Sequence, residues 1–124
     1  MKNYFSSNFK LGVLGGGQLG KMLLTETHKF DIYTSILDGD KNAPCAHLAT
    51  EFFVGYLNDF QAVYDFGKKV NLLSIEIENV NVDALEKLES EGLAVFPQPA
   101  VLRMIKDKGL QKNFYRDHAL PTAD

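Results

Sequence analysis

The sequence predicts an α/β domain with a Rossmann-like parallel sheet and helices on both faces of that sheet. Short apolar runs alternate along the chain with runs of helical periodicity, and short polar connections separate them. This alternation is typical of parallel strands joined by crossover helices, because each helix returns the chain to the edge where the next strand begins. A glycine-rich loop at 15–20, between the first apolar run and the first helical run, is a third indication of this fold.

The first strand–helix–strand unit is predicted over residues 10–38. The run Lys10–Leu14 is mostly apolar and ends at glycines, as expected of a strand. A helix is predicted for Gln18–Lys29, because its apolar side chains recur near one face. The second strand is predicted at Ile32–Leu37 and ends at Asp38.

The next elements follow a polar loop. A short helical turn is predicted near Pro44–Ala49, and a short third strand at Glu51–Val54. A second long helix is expected to end near Lys69. Asn58 or Asp59 would begin it, since a short polar side chain can accept a hydrogen bond from the first turn.

The last strands of the predicted sheet flank one more helix. Leu72–Ile77 is predicted as the fourth strand and Leu93–Phe96 as a short fifth strand. Between them, Asn81 would cap a helix at Val82–Glu91 and Gly92 would end it.

The character of the chain changes after the fifth strand. Pro97-Gln98-Pro99 predicts a stiff, extended linker, followed by short helices at Ala100–Lys106 and Asp107–His118, with Asp107 as the cap of the second. Residues 120–124 are typical of the approach to another strand. We therefore predict an N-terminal tail at 1–9, a domain at 10–96, and a linker with helices at 97–124 that leads into a further domain.

The composition is that of a globular domain and argues against several function classes. Of 124 residues, 45% are hydrophobic and 23% are charged, so one compact domain is expected. The net charge of −3 and the lack of a long basic run disfavour nucleic acid as a partner. We expect neither a membrane span nor a signal peptide. The single cysteine, Cys45, excludes an internal disulfide and favours a reducing compartment, so a cytoplasmic protein is expected.

The loop Gly15-Gly16-Gly17-Gln18-Leu19-Gly20 is the first candidate ligand site. Glycines allow a sharp turn and a close approach of a ligand to the main chain. The N–H groups at the start of the following helix favour negative charge, and Gln18 adds an amide that can donate and accept. A tight turn that binds nothing is the alternative, but the strand–loop–helix order favours binding.

Asp38 lies eighteen residues after Gly20, close to the spacing of a carboxylate that holds a ribose hydroxyl. If the ligand were a nicotinamide dinucleotide, Asp38 would favour the form without the extra phosphate. The alternative is an ordinary turn, since Asp38-Gly39 is also a common turn pair.

Carboxylates at the end of the fourth predicted strand form another candidate site. Alternation places Ser74, Glu76 and Glu78 on one face of that strand. A central parallel strand is normally apolar on both faces, so these carboxylates need a partner. A substrate amine or hydroxyl is the favoured partner for Glu76, while Glu78 and Asn79 would orient the loop. A solvated strand end or a salt bridge to a lysine is the alternative.

Other polar groups give weaker signals. The three histidines have no ligand-like spacing with one another or with Cys45, so no protein metal site is expected. No Ser–His–Asp or Cys–His nucleophile can be assigned. Lys106, Lys108 and Lys112 are typical of a solvated helix face, although one of them could reach an ATP phosphate.

Four segments together match the pattern of one enzyme family. They are Gly15 through Leu23; Ala43-Pro44 with Ala46 and Ala49; Ile75-Glu76-Ile77-Glu78-Asn79-Val80; and Asp107-Lys108-Gly109-Leu110-Gln111-Lys112 followed by Leu120-Pro121-Thr122-Ala123. Over nearly all of Leu11 to Ala123 the chain resembles N5-carboxyaminoimidazole ribonucleotide synthase, the ATPase subunit of phosphoribosylaminoimidazole carboxylase. Formate-dependent glycinamide ribonucleotide transformylase is the second choice, because it usually has Glu where Gln18 stands and lacks Asn79.

The resemblance implies a pre-ATP-grasp domain of a ligase in purine biosynthesis. In that reaction ATP phosphorylates bicarbonate, and the amine of aminoimidazole ribonucleotide then takes up the carboxyl group, with Mg²⁺ neutralising the triphosphate. The ATP-grasp domain, its Mg²⁺ ligands and the catalytic residues would lie beyond Asp124. The chain alone is therefore expected to be inactive, and the full-length enzyme is expected to be a homodimer.

The resemblance also assigns residues. Gln18, Leu19 and Glu76 would contact the ribonucleotide. Lys108 stands where the family has a basic residue near ATP, often Arg, and would contact a phosphate. Further candidate substrate contacts are Gly17 and Asp38, the latter without a firm family role.

Two other functions are consistent with parts of the sequence. A nicotinamide-binding domain of an oxidoreductase would explain the glycine loop and Asp38, but not Glu76 or the segment after Pro97. A non-catalytic nucleotide-sensing module would explain a short chain.

Overall fold

The computed structural model describes residues 6–121, which form five strands and five helices. The strands and helices in chain order are β1 Lys10–Leu14, α1 Gln18–Lys29, β2 Tyr33–Asp38, β3 Glu51–Val54, α2 Phe60–Gly67, β4 Leu72–Ile75, α3 Val82–Ser90, β5 Ala94–Phe96, α4 Pro99–Lys106 and α5 Lys108–Asp117.

All five strands run parallel in one sheet, in the order β3-β2-β1-β4-β5. β1 is the central strand, and its Val13 is in register with Ile36 of β2 and Ser74 of β4. The chain first winds to one side of β1 and then, through α2, to the other side. The winding therefore reverses between β1 and β4, which is where open α/β sheets bind ligands.

Helices cover both faces of the sheet, as predicted. Neighbouring residues of a strand point to opposite faces, so Val13 packs in one core layer and Leu14 in the other. The first layer includes Leu24 of α1 and the second includes Leu85 of α3. Val13, Leu14 and Leu85 are fully buried and Leu24 is 1% exposed. Burial of these apolar side chains stabilises each layer by about 1.5–3 kcal/mol per side chain.

Three predicted helix caps are present. The side chains of Asp59, Asn81 and Asp107 accept hydrogen bonds from the backbone N–H groups three residues later, at 2.9, 2.9 and 3.1 Å. Each such cap stabilises its helix by about 1 kcal/mol. Asp59 rather than Asn58 begins α2. Gly92 follows α3 with a φ of +100°, a conformation that favours glycine.

Some predicted bounds were wrong, although residues 44–49 form a single turn, as predicted. In that turn the N–H groups of Leu48 and Ala49 both donate to the Cys45 carbonyl, and the turn does not extend into a helix. β4 ends at Ile75 instead of Ile77, because its neighbour β1 ends at Leu14 and leaves no strand to pair with. α2 ends two residues earlier than predicted. The chain beyond it makes a tighter turn, in which N–H groups donate to carbonyls three residues back instead of four.

Other predicted strand and helix bounds agree with the structure to within one residue. β1, β3 and α1 have the predicted bounds, whereas β2, α3, β5, α4 and α5 differ by one residue at one or both ends.

α4 contributes a residue to the core of the domain and α5 does not. The Phe96–Pro97 peptide is cis, and α4 begins at Pro99. Leu102 of α4 is 2% exposed and belongs to the same core layer as α3. In contrast, α5 has no buried residue. The boundary after Phe96 stays a prediction, and the expected lead into another strand at 122–124 lies outside the described residues, as do residues 1–5.

Candidate ligand-binding cleft

A cleft of about 560 Å³ lies at the carboxyl edge of the sheet, where the winding reverses. Its lining residues are Gly15, Gly17, Gln18, Leu19, Gly20, Asp38, Leu57, Glu76, Ile77 and Glu78. This volume lies within the usual range for small-molecule sites. The fold thus brings together five residues that the sequence singled out, at positions 17, 18, 19, 38 and 76.

Two glycines of the loop are required by the fold, and a third is not. Gly15 has a φ of +106°, which favours glycine. A Cβ on Gly20 would lie 2.8 Å from the Gly15 carbonyl oxygen and 3.2 Å from Sγ of Cys45. A Cβ on Gly17 would meet nothing within 4 Å. Internal packing therefore explains Gly15 and Gly20, whereas the space beside Gly17 is open to a ligand.

The side chain of Asp38 holds the glycine loop by a hydrogen bond to its backbone. Its Oδ2 accepts a hydrogen bond from the Gly16 N–H at 2.7 Å, and its Oδ1 accepts one from the Asp40 N–H at 2.8 Å. The Gly16 carbonyl in turn accepts from the Cys45 N–H at 3.0 Å. Both carboxylate oxygens of Asp38 thus already bind backbone, which favours the turn interpretation of this residue over a free ribose acceptor. Asp38 nevertheless borders the cleft.

Cys45 is buried behind the loop. Its Sγ lies 3.6 Å from the Gly17 carbonyl oxygen, within reach of a weak S–H hydrogen bond. Burial, followed by the charges of Asp38 and Glu76, raises the pKa of this thiol, and Lys21 opposes the rise. The neutral thiol is therefore favoured, which suits a packing role rather than a nucleophile. Sequence reasoning missed this contact, and no spacing in the sequence indicates it.

Glu76 borders the cleft next to the glycine loop, and its Cβ would lie 3.5 Å from a Cβ built on Gly15. Its N–H donates to the Leu14 carbonyl at 3.0 Å, which fixes the main chain one residue beyond β4. Its side chain is half-buried, and within residues 6–121 it makes no hydrogen bond or ion pair. The salt-bridge alternative is therefore not realised in this part of the chain. A carboxylate without a protein partner at a cleft is available to accept hydrogen bonds from a ligand.

Exposed apolar side chains border the same cleft. Leu19 on the first turn of α1 is 61% exposed and Ile77 beyond β4 is 44% exposed. Together they give the cleft a partly apolar lining. Gln18 starts α1, and no side chain caps this helix at Gly17. The N–H groups of the first turn have no partner inside the helix and are available to an anion.

The structure does not bring Lys108 into this cleft. Lys108 is exposed at the start of α5, two residues beyond the end of α4. Its neighbours Lys106 and Asp107 border a separate hollow of about 410 Å³ beside α3. The predicted phosphate contact therefore lies apart from the predicted ribonucleotide contacts.

Residues 6–121 contain neither a cluster of metal ligands nor a membrane-spanning helix. No group of three or more His, Cys, Asp or Glu side chains lies close enough together to hold a metal ion. None of the helices in that range has the length and apolar character needed to cross a membrane.

Comparison with known proteins gives the family. Residues 9–106 match the ribonucleotide synthetase preATP-grasp domain. The chain belongs to this family. The match covers the whole sheet, the cleft and α4.

The relatives of this preATP-grasp domain carry consistent names. The chain is 40% identical over 102 residues to the chloroplastic phosphoribosylaminoimidazole carboxylase of Vigna aconitifolia. This alignment covers 82% of the chain and 18% of the relative. It is 34% identical to N5-carboxyaminoimidazole ribonucleotide synthetase of Thermotoga maritima, with a TM-score of 0.88, covering 94% of the chain and 32% of that structure.

A third relative was solved with ligands. The N5-carboxyaminoimidazole synthase of Aspergillus clavatus, in complex with ADP and 5-aminoimidazole ribonucleotide, is 34% identical with a TM-score of 0.85. The alignment covers 94% of the chain and 31% of that structure. The chain thus spans between about a fifth and a third of the length of these relatives. The comparisons give no support to the nicotinamide-dependent oxidoreductase.

Proposed function

We propose that this chain is the ribonucleotide-side part of an ATP-dependent ligase. The ligase would carboxylate 5-aminoimidazole ribonucleotide with bicarbonate, giving N5-carboxyaminoimidazole ribonucleotide in purine biosynthesis. The observation that carries the proposal is one cleft bordered both by the unpaired carboxylate of Glu76 and by the open side of Gly17. Family membership and the names of the relatives support the same reaction.

Each wall of the cleft suits one part of the ribonucleotide. The first-turn N–H groups of α1, with the Gln18 amide, suit the anionic phosphate or the ribose oxygens. Leu19 and Ile77 offer apolar contact to the imidazole ring. Glu76 would accept hydrogen bonds from the exocyclic amine and fix its direction, which favours attack from one geometry. Gly17 would allow close approach, and Asp38 would act mainly by holding the loop.

The chemistry of the proposed reaction has two steps. Bicarbonate oxygen attacks the γ-phosphorus of ATP, releasing ADP and forming carboxyphosphate. The ribonucleotide amine then bonds to the carboxyl carbon, directly or through carbon dioxide, while inorganic phosphate leaves and the amine loses a proton. Lys108 is proposed to contact an ATP phosphate from α5, as a point charge suited to that group.

Mg²⁺ would neutralise the triphosphate when bound. The described residues do not fit a magnesium site, because no carboxylate cluster lies among them. The proposal therefore assigns no step of this chain to the metal.

Assembly and location are further parts of the proposal. We expect the full-length protein to be a homodimer, which sedimentation of that protein would test. A cytoplasmic location is consistent with the buried, unpaired thiol of Cys45. Because one relative is named as chloroplastic, cell fractionation is the appropriate measurement.

The decisive experiment measures ADP release by the full-length gene product in bicarbonate buffer, with and without 5-aminoimidazole ribonucleotide. Release should require the ribonucleotide. Glu76→Ala should lower kcat/KM for the ribonucleotide about tenfold or more, since a hydrogen bond to a charged group is worth about 1.5–3 kcal/mol.

The matched control for this variant is Glu89→Ala. Glu89 is exposed on α3 and does not border the cleft. It should behave like the parent. Because the Glu76 side chain is unpaired within the described part of the chain, Glu76→Ala should also unfold within about 0.5 kcal/mol of the parent. ADP release that does not depend on the ribonucleotide would contradict the proposed substrate.

A further inference from the structure

The segment Glu76–Asn81 carries one wall of the cleft but belongs to no strand or helix. Its two ends are held by main-chain bonds, from the Glu76 N–H to the Leu14 carbonyl at 3.0 Å and from the Asn81 N–H to the Leu57 carbonyl at 2.8 Å. Between them, Val80 is fully buried. The residues between these two bonds have no strand or helix to hold them, so the contacts of Val80 near the far end help to fix the segment.

A side chain from α4 reaches the buried end of the segment. Nζ of Lys106 donates to the Val80 carbonyl oxygen at 2.9 Å. This is the only hydrogen bond to that oxygen within residues 6–121. The bond is partly buried and borders the hollow beside α3, so without Lys106 the carbonyl has no protein donor and the backbone around it is held less firmly.

The same face of α4 is fastened to α3. Arg103, one turn before Lys106, forms ion pairs with Asp83 and, at 2.5 Å, with Glu86. Leu102 packs into the core beside them. Lys106 thus extends from a helix that is anchored to the domain. Its ammonium group therefore restricts movement of the Val80 carbonyl instead of moving together with it.

We propose that Lys106 is a positioning residue for the substrate wall of the cleft. By fixing the Val80 carbonyl, its ammonium group holds the segment Glu76–Asn81 and, through it, the direction of the Glu76 carboxylate. Lys106 also lies two residues before Lys108, the proposed phosphate contact. The end of α4 therefore ties the wall that carries Glu76 to the part of the chain that would meet ATP.

A hydrogen-exchange experiment tests the positioning without any ligand. Lys106→Met keeps an apolar stem of similar length but removes the donor. We expect the amide of Asn81 to exchange about tenfold faster in this variant, and Lys106→Arg to restore most of the protection. Lys29→Met is the control, because Lys29 is exposed at the end of α1 and its Nζ pairs with Glu26 at 3.1 Å. Unchanged exchange in Lys106→Met would overturn the proposal.

Kinetics of the full-length protein test the consequence, and this arm rests on the proposed function. Lys106→Met should raise the KM for 5-aminoimidazole ribonucleotide about fivefold or more and leave the KM for ATP within about twofold, with Lys106→Arg close to the parent. A rise in the KM for ATP alone would show a phosphate contact and overturn the positioning role. If the parent shows no ribonucleotide-dependent activity, the proposed function fails, while the exchange measurement still decides whether Lys106 holds the segment.

Discussion

Replacing Gly20 by alanine sets helix propensity directly against packing. Gly20 is the third residue of α1, where alanine is favoured over glycine by about 0.5–1 kcal/mol. The new Cβ would lie 2.8 Å from the Gly15 carbonyl oxygen. Real Cβ atoms do not approach a backbone oxygen so closely, so either the loop or the helix must shift.

The structure decides which effect is larger. The Gly15 oxygen belongs to a turn fixed by a φ of +106° and by the hydrogen bond of its own N–H to the Leu37 carbonyl at 3.0 Å. On the other side, Sγ of the buried Cys45 is 3.2 Å from the new atom. Neither contact can move freely, so overpacking of about 1–3 kcal/mol applies. After the gain in propensity, we expect Gly20→Ala to lower the free energy of unfolding by about 1–2 kcal/mol.

Urea unfolding followed by circular dichroism measures this change, and Gly17→Ala is the matched control. A Cβ on Gly17 meets nothing within 4 Å and its φ is −78°, so this variant should lose only the preference of an N-cap for glycine over alanine, about 0.5–1 kcal/mol. If Gly20→Ala were as stable as the parent or more stable, the packing argument would be wrong. Gly17→Ala should instead weaken binding of a ribonucleotide, because it narrows the open side of the cleft.

Two further predictions concern the partly buried carboxylate of Asp38 and the exposed carboxylate of Glu91. Asp38→Ala should lower the free energy of unfolding in urea by about 1–3 kcal/mol, because the Gly16 N–H loses its acceptor. Asp38→Asn should lower it less, because one side-chain oxygen remains to accept. Equal losses in the two variants would contradict this assignment. The Tyr64 hydroxyl lowers the pKa of Glu91, so the stability that Glu91 contributes is present above the unfolded value of about 4.3 and is lost as the pH falls through the folded value. Tyr64→Phe should therefore lose less stability than the parent between about pH 5 and pH 3, and parallel pH profiles would refute the assignment.

Periodicity and capping residues predicted most of the fold. β1 and α1 have the predicted bounds because their apolar patterns are clear and glycines mark the turn between them. The caps at Asp59 and Asn81 depend on residues only three positions apart, so local sequence is sufficient to find them. β4 ended earlier than predicted because its length depends on where β1 ends, which the sequence of β4 does not contain.

The candidate cleft was predictable in outline but not in its internal bonds. Strand order alone placed the glycine loop and Glu76 at the same edge of the sheet. The bond from the Gly16 N–H to Asp38 joins residues 22 positions apart, and the bond from Lys106 to the Val80 carbonyl joins residues 26 positions apart. No local sequence pattern predicts contacts between residues so far apart. The spacing of Asp38 from the glycine loop was as consistent with a ribose contact as with the turn that the structure shows.

The two walls of the cleft are each fastened to a central strand by one main-chain bond, from Gly15 to Leu37 and from Glu76 to Leu14. Each wall thus starts on the sheet itself, so a ligand that contacts both walls binds only the folded domain. A compound that binds the cleft will therefore raise the melting temperature of the whole domain by mass action. Thermal-shift screening of ribonucleotides, phosphates and aminoimidazoles can then identify what this chain binds, even where it catalyses nothing.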